Sequence, residues 1–320
     1  MEGIARVNKN GIYLVINPAA GGGKGARVGE QITIALKERN IKYECVESNY
    51  AGDMKNIINN YCEKYGVEIE RPLLLIIGGD GTLNEAIQSL GKRYSNIPLS
   101  YIAAGSGNDF ARSVDLPKKP LQALAHILAV KQPKWIEVGH YKNQVGSEDS
   151  YFINNLGLGF DAMIVKLANE SLAKKWLNKL GLGTLSYVFA LLKSYFKQAS
   201  YRITLSIDGQ IKTFDTAFLV TITNHPYFGG GVAIAPSASN SDGLLDLVVV
   251  PKITLAKLVW LFIRMLSGGH HVLSKDYHHY QAESIKVTIE VPVEGQRDGE
   301  TLGKKAYQIS IKSEKRQMWL

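Results

Sequence analysis

Three short glycine-bearing runs hold the residues best suited to chemistry in this chain of 320 residues. Gly78-Gly79-Asp80-Gly81-Thr82 directly follows the bare apolar run Leu73 to Ile77. Its three glycines expose main-chain N–H groups to a phosphate, and its carboxylate can hold Mg²⁺ through water. Thr82 then opens a helix whose dipole favours anions. An ordinary strand-to-helix turn would not need three glycines around a carboxylate. The other two runs are Asn17-Pro18-Ala19-Ala20-Gly21 and Gly105-Ser106-Gly107-Asn108. Gly23-Lys24-Gly25 invites a P-loop reading and fails it: Gly25 stands where Ser or Thr is required, and Pro18 where the first glycine is required. On spacing alone, Gly21 to Gly25 serves equally as a flexible turn or as a phosphate cradle.

Later in the chain, Asp298-Gly299-Glu300 puts two carboxylates on a tight turn. Phosphoryl transfer needs one well-placed carboxylate beside positioning and charge neutralisation, although such a turn alone is usually a surface hairpin. Asp242-Gly243 reads as a turn leading into the strand Leu245 to Val250. His270, His271, His278 and His279 have no metal-ligand spacing and no cysteine beside them, so a solvated loop is expected. Lys166, Lys174, Lys175 and Lys179 interleave with Leu167, Leu172, Trp176 and Leu177. They read equally as a basic amphipathic helix for an anionic membrane or as a solvated helix face.

The elements that position these residues follow from periodicity. Strands are expected at Ile12 to Ile16, Tyr43 to Glu47, Leu73 to Ile77 and Leu99 to Ala103. Helices are expected from about Ala26 to Arg39, Asp53 to Lys64, from Thr82, and Leu121 to Val130. This βα alternation predicts a mainly parallel sheet covered on both faces, with ligands beyond the carboxyl ends of its strands. All three glycine-bearing runs lie at those ends. After Pro133 the rhythm changes: Ile203, Leu205 and Ile207 alternate with polar residues before the hairpin dipeptide Asp208-Gly209. Ile285, Val287 and Ile289 alternate likewise, as do Ile309 and Ile311. An antiparallel β domain is expected, with helical insertions near Asp161 to Lys197 and Thr254 to Leu266.

Hydrophobic residues make up 45% and charged residues 21%, which places the chain among folded globular proteins. The net charge of +8 favours an anionic partner without choosing one. Cys45 and Cys62 lack zinc or C-x-x-C spacing and read as reduced core residues. No signal-peptide run opens the sequence, and Lys257 and Arg264 interrupt the longest apolar stretch. A cytoplasmic protein that meets membranes only at their surface is expected.

The run from Gly78 to Glu85, with Asn17 to Gly21 before it and Gly105-Ser106-Gly107-Asn108-Asp109-Phe110-Ala111-Arg112 after it, resembles the diacylglycerol kinase catalytic-domain family. Ala235 to Asp246 and Asp298-Gly299-Glu300 extend the resemblance in the right order over nearly the whole chain. It implies an α/β protein in two parts. An N-terminal doubly wound, phosphofructokinase- or NAD-kinase-like nucleotide-binding domain spans residues 1–134, and an antiparallel β-sandwich domain with helical insertions spans 135–312. Residues 313–320 are expected to pack back on the first.

The resemblance also implies ATP binding by Asn17, Pro18, Ala19, Ala20, Gly21, Gly78, Gly79, Asp80, Gly81, Thr82, Leu83, Asn84 and Ser106. Ser48 is a weaker match, standing where threonine is usual. Glu300 or Asp298 is implied as general base, ranked about equal, with Asp80 third; Arg297 stands where an apolar residue is commoner. Asp242, with the carbonyls of Ser239 and Leu244, is implied to hold a structural Mg²⁺, and Asp109 to join its water network to Asp80. Lys24, Arg27 and Arg112 join Lys174 and Lys175 as candidate membrane contacts.

The expected activity is ATP-dependent phosphorylation of diacylglycerol or a related lipid at an anionic membrane surface. NAD kinase, which shares the Gly-Gly-Asp-Gly-Thr run, is the first alternative. Asn84-Glu85 and Gly107 to Arg112 match the lipid kinases better. A nucleotide- or membrane-binding protein without turnover is the second. No nucleic-acid fingerprint accompanies the positive charge, and a second copy of the chain is a candidate partner.

Overall fold

The computed structural model describes residues 10–66, 70–170 and 192–320. Four parallel strands, β1 (Ile12–Ile16), β2 (Tyr43–Glu47), β3 (Leu73–Gly78) and β4 (Leu99–Ala103), lie in the order β2–β1–β3–β4. β1 and β3 are apolar without interruption because both of their faces are covered. On one face Ile12, Leu14 and Ile16 join Leu73, Leu75 and Ile77 in a core with helices α1 (Ala20–Glu38) and α5 (Pro120–Ala129). On the other, the Tyr13 ring packs against Tyr61 of α2 (Met54–Tyr65), with centroids 5.1 Å apart. α2 packs in turn on α3 (Asp80–Leu90). The five-residue α4 (Asp109–Ser113) follows β4.

These elements belong to one compact unit, residues 1–138 with 229–231 and 314–320. Within it Met318 pairs in parallel with Leu99, and the Trp319 indole donates to the Ile127 carbonyl at 3.0 Å. β2 is the edge strand, so Cys45 is exposed rather than in the core, whereas Cys62 on α2 is buried. Burial pushes the Cys62 thiol up to about 11.

Residues 139–228 and 232–313 form the second unit, which is built on antiparallel strand pairs. Its strands, named in chain order, are β5 (Lys134–Asn143), β6 (Glu148–Phe152), β7 (Asn155–Gly159), β8 (Tyr201–Ile207), β9 (Gln210–Thr223), β10 (Tyr227–Phe228), β11 (Val232–Ala233), β12 (Leu245–Pro251), β13 (His278–Ala282), β14 (Ser284–Arg297) and β15 (Glu300–Met318); the first residues of β5 and the last of β15 fall in the other unit. The two long strands β9 and β14 change partners along their length. Each pairs with β8 through its first half and with β7 through its second.

That exchange curls the strands around a core built from the alternating positions: Ile203, Leu205 and Ile207, then Ile285, Val287 and Ile289, then Tyr307, Ile309 and Ile311. Asp208 and Gly209 (φ 46° and 87°) make the tight hairpin between β8 and β9. Helix α6 (Phe160–Glu170) follows β7, and residues 192–197 are also helical. Helix α7 (Leu255–Leu266) packs Leu258, Leu261 and Met265 against Phe218, Val248 and Val250 of β9 and β12. Lys174, Lys175 and Lys179 lie outside the described residues.

The histidine-rich segment is not a solvated loop. His271 is buried in a 3₁₀ turn (His270–Leu273), and His278 and His279 lie on β13. His279 pairs with the buried Asp246 at 2.6 Å. Burial beside an apolar sheet edge, invisible to residue spacing, decides their state.

Candidate functional site

The first unit brings its three glycine-bearing runs together. β3 ends at Gly78, and Gly79 precedes α3, whose N-terminus has no side-chain cap. Its first-turn N–H groups are therefore available to an anion. A Cβ at Gly105 would lie 2.6 Å from the Gly79 Cα, so these two loops touch main chain to main chain and only glycine fits. Asn108, in the left-handed region at φ 56°, donates through Nδ2 to the Gly105 carbonyl (2.9 Å). This turn aims the Asp109 N–H at Asp80 Oδ2, 2.9 Å away. The link from Asp109 to Asp80 is thus direct and runs through the main chain. The Asp109 carboxylate accepts the Gly230 N–H (2.8 Å) and pairs with Arg112 at 2.5 Å. Arg112 is therefore held within an acidic loop cluster.

Asn17 Nδ2 donates to Thr82 Oγ1 (2.9 Å) and Asn17 Oδ1 accepts the Ala19 N–H (3.1 Å), which ties the first run to the second. Gly21, Gly22 and Gly23 are all left-handed (φ 58°, 67° and 94°), so regular helix begins only after them, near Lys24. A Cβ at Gly25 would collide with the Asn17 carbonyl, whereas one at Gly22, Gly23 or Gly81 would meet nothing within 4 Å. Those three positions have open space beside their main chain. Pro18 accepts the Ala26 N–H at 3.2 Å, and the Ser48 N–H donates to the Ile16 carbonyl at 2.9 Å. Ala19, Gly21, Ser106 and Arg27 are exposed, and Ala20 and Lys24 are half-buried. Leu83 and Asn84 are buried and pack α3 onto the fold. Residue spacing gave no sign of Tyr101, whose hydroxyl donates to the Gly78 carbonyl at 3.1 Å; burial and the Asp80 carboxylate keep it protonated.

In the second unit, Asp298 and Gly299 (φ 48° and 85°) form the two-residue hairpin between β14 and β15. The Asp298 carboxylate accepts the N–H groups of Ile153, Asn154 and Asn155 at 2.9, 2.8 and 3.0 Å. Burial pushes its carboxyl up to about 7, against the opposing pull of those N–H groups and Arg297. Glu300 differs: its side chain is 55% exposed and pairs with Arg297 at 2.8 Å.

Behind the turn lies a polar network that no motif announced. Asn155 Nδ2 donates to Asp161 Oδ2 (3.2 Å) and Thr221 Oγ1 (3.1 Å), and Gln296 Nε2 donates to the same Asp161 oxygen (2.9 Å). Gln296 Oε1 accepts the Gly299 N–H at 2.9 Å. Burial pushes Asp161 up to about 6. The one available sequence signal was an acidic residue just after the apolar run Leu156 to Phe160.

Asp242 is exposed, and its Oδ1 accepts the Leu244 N–H at 3.0 Å; the Ser239 and Ser241 hydroxyls lie 3.2 Å apart. One carboxylate with main-chain carbonyls suits a hard cation that keeps its waters. Among the described residues no three His, Cys, Asp or Glu converge on a metal position. Lys166 pairs with the buried Glu294 at 2.7 Å.

The second unit also contains a small apolar cavity of about 20 Å³ beneath α7. Leu219, Phe228, Val248, Leu258, Leu261 and Met265 are among its walls. Its polar edge is His271 and Tyr277, which both donate to the Ile234 carbonyl, at 2.9 and 2.8 Å.

Known proteins match this arrangement along the chain. The diacylglycerol kinase catalytic domain matches residues 11–141, and the YegS C-terminal NAD kinase beta sandwich-like domain matches residues 154–316. YtlR of Bacillus subtilis (strain 168), which bears the name of a lipid kinase, is 27% identical over 93% of this chain and 96% of its own. A diacylglycerol kinase of Mycobacterium tuberculosis (strain CDC 1551 / Oshkosh) is 29% identical over 81% of this chain and 79% of its own. A crystal structure of a diacylglycerol kinase from Bacillus anthracis (strain Sterne) superposes with a TM-score of 0.65 at 21% identity. It covers 96% of this chain and 95% of that one, a likeness of fold.

Proposed function

This chain belongs to the family that joins a diacylglycerol kinase catalytic domain to a YegS-type C-terminal domain, and we infer that it transfers the γ-phosphate of ATP to the hydroxyl of diacylglycerol or a related lipid alcohol. The product is phosphatidic acid or its analogue. The observation that carries the lipid acceptor is the match of residues 11–141 to the diacylglycerol kinase catalytic domain.

ATP binding is assigned to the first unit. The uncapped N-terminus of α3 and the open glycines Gly22, Gly23 and Gly81 receive the phosphates, and Asn17 with Thr82 fixes the two loops that hold them. Asp80, poised by the Asp109 N–H, faces the same loops as the carboxylate of the nucleotide site. Mg²⁺ would neutralise charge on the phosphates, and a structural ion would be held by Asp242 with the carbonyls of Ser239 and Leu244. Glu300 is the better general base, because its carboxylate is accessible. Asp298 has its oxygens engaged by three N–H donors and is a positioning residue for the turn. As the lipid oxygen bonds to the γ-phosphorus, its proton passes to the general base, the bond to the β-phosphate oxygen breaks, and ADP leaves.

The test is incubation with radiolabelled ATP against a panel of lipid alcohols in anionic vesicles, with NAD as the competing acceptor. Label in a phosphorylated lipid is expected; label in NADP alone would overturn the assignment.

A further inference from the structure

We propose that the outward face of α7, with the 3₁₀ turn that follows it, is a docking surface for an anionic lipid bilayer. α7 is apolar on two opposite faces. Leu258, Leu261 and Met265 point into the core, yet the opposite face carries Trp260, Ile263 and Leu266, exposed by 60%, 49% and 69%. Leu273 on the next turn is exposed by 74%. A soluble helix ordinarily puts charges on that face, and a contiguous exposed apolar patch marks a binding surface.

Charge selects the occupant. The twelve residues of α7 include two cations, Lys257 and Arg264, and no acid. At about 100° per residue both fall on one flank of the apolar stripe, beyond Trp260. The Lys257 ammonium is 3.8 Å from Asp276, a loose pairing. Trp beside apolar residues, flanked by basic ones, is the arrangement that settles at the boundary of headgroups and acyl chains. The inward face of the same helix walls the apolar cavity.

The choice of a bilayer rests on the lipid-kinase reading; vesicle binding is measured without turnover, so the two can fail separately. Sedimentation with phosphatidylcholine vesicles, with and without phosphatidylglycerol, is run on wild type and on the triple variant Trp260→Ser, Ile263→Ser, Leu266→Ser. The variant should lose about tenfold or more in partition to the anionic vesicles. Lys257→Gln with Arg264→Gln should lose a similar amount at low salt, at about 1 kcal/mol per cation. The wild-type blue shift of tryptophan emission on vesicles should disappear in Trp260→Phe, a change too mild to unfold the protein. For an active kinase, the triple variant should keep its rate on a short-chain, water-soluble diacylglycerol.

Wild-type partition by the folded triple variant would overturn the proposal. So would an emission shift that survives in Trp260→Phe. A wild-type dimer that the triple variant splits, with vesicle binding unchanged, would assign the face to a second copy of the chain instead.

Discussion

Asp298 and Glu300 are two positions apart in sequence and live in different media. Asp298 is half-buried with its carboxylate held by three N–H donors, so an amide there would turn an N–H toward an N–H. Asp298→Asn should cost about 1–3 kcal/mol of stability, read from urea unfolding. Glu300→Gln should leave the unfolding midpoint near wild type and lower the transfer rate by about 10²–10⁴, the usual contribution of a general base. A stable Asp298→Asn protein without activity, beside an active Glu300→Gln, would exchange their roles. Asp80→Ala should abolish transfer, and ATP should no longer raise the melting temperature as it does for a protein that binds it. If ATP still stabilises the variant, Asp80 lies outside nucleotide binding. The residue types at these positions were legible in the sequence. Their division of labour was not, because spacing carries no information about burial. The Asp161–Asn155–Gln296 network escaped for the same reason: its members are 6 and 135 positions apart.

Strands and helices of the first unit were readable because uninterrupted apolar runs and 3.6-residue patterns each allow one solution. The glycine turn before α1 was placed less well. The helix was expected from about Ala26, and three left-handed glycines instead lead into it near Lys24. Gly22→Ala should cost about 1–2 kcal/mol through backbone strain alone, since its Cβ meets open space. Gly25→Ala should cost more and weaken ATP binding, because its Cβ displaces the Asn17 carbonyl. Calorimetric titration with ATP beside thermal melts separates the two, and equal losses would remove Asn17 from the nucleotide site.

Around β7 and α6, the Asp161 carboxyl is raised from 3.8 to about 6 by burial. Between those pH values the folded chain keeps a proton that the unfolded chain has lost. Unfolding then releases it, so stability is fully present below about pH 4 and falls as pH rises through about 6. Asp298 extends the same trend to about 7. Asp161→Asn keeps an acceptor oxygen for Asn155 and Gln296, and should flatten the decline between pH 4 and 6. An unchanged profile in thermal melts would mean that Asp161 is ionised throughout.

At the scale of the whole molecule, a net charge of +8 should make binding to anionic vesicles sensitive to salt. Raising NaCl from 0.1 to 1 M shortens the Debye length from ~10 Å to ~3 Å, so the partition coefficient should fall steeply. Binding that ignores salt would leave the apolar face alone to account for it. Among the described residues no helix is long and apolar enough to cross a membrane.

The sequence by itself determined the βα alternation, the later β pattern, the order of the motif blocks and, through them, the family. These are properties of local period and composition, and a chain carries them wherever it folds. Tertiary structure decided what depends on neighbours distant in sequence. It closed the curled sheet through partner exchange along β9 and β14, and it held Arg112 on Asp109. It also tied the Asp298 carboxylate to three N–H donors while leaving Glu300 in water, and turned one apolar helix into a core wall on one side and an exposed surface on the other. Burial and hydrogen-bond partnership arise only when separate segments meet, and no spacing within one segment encodes them.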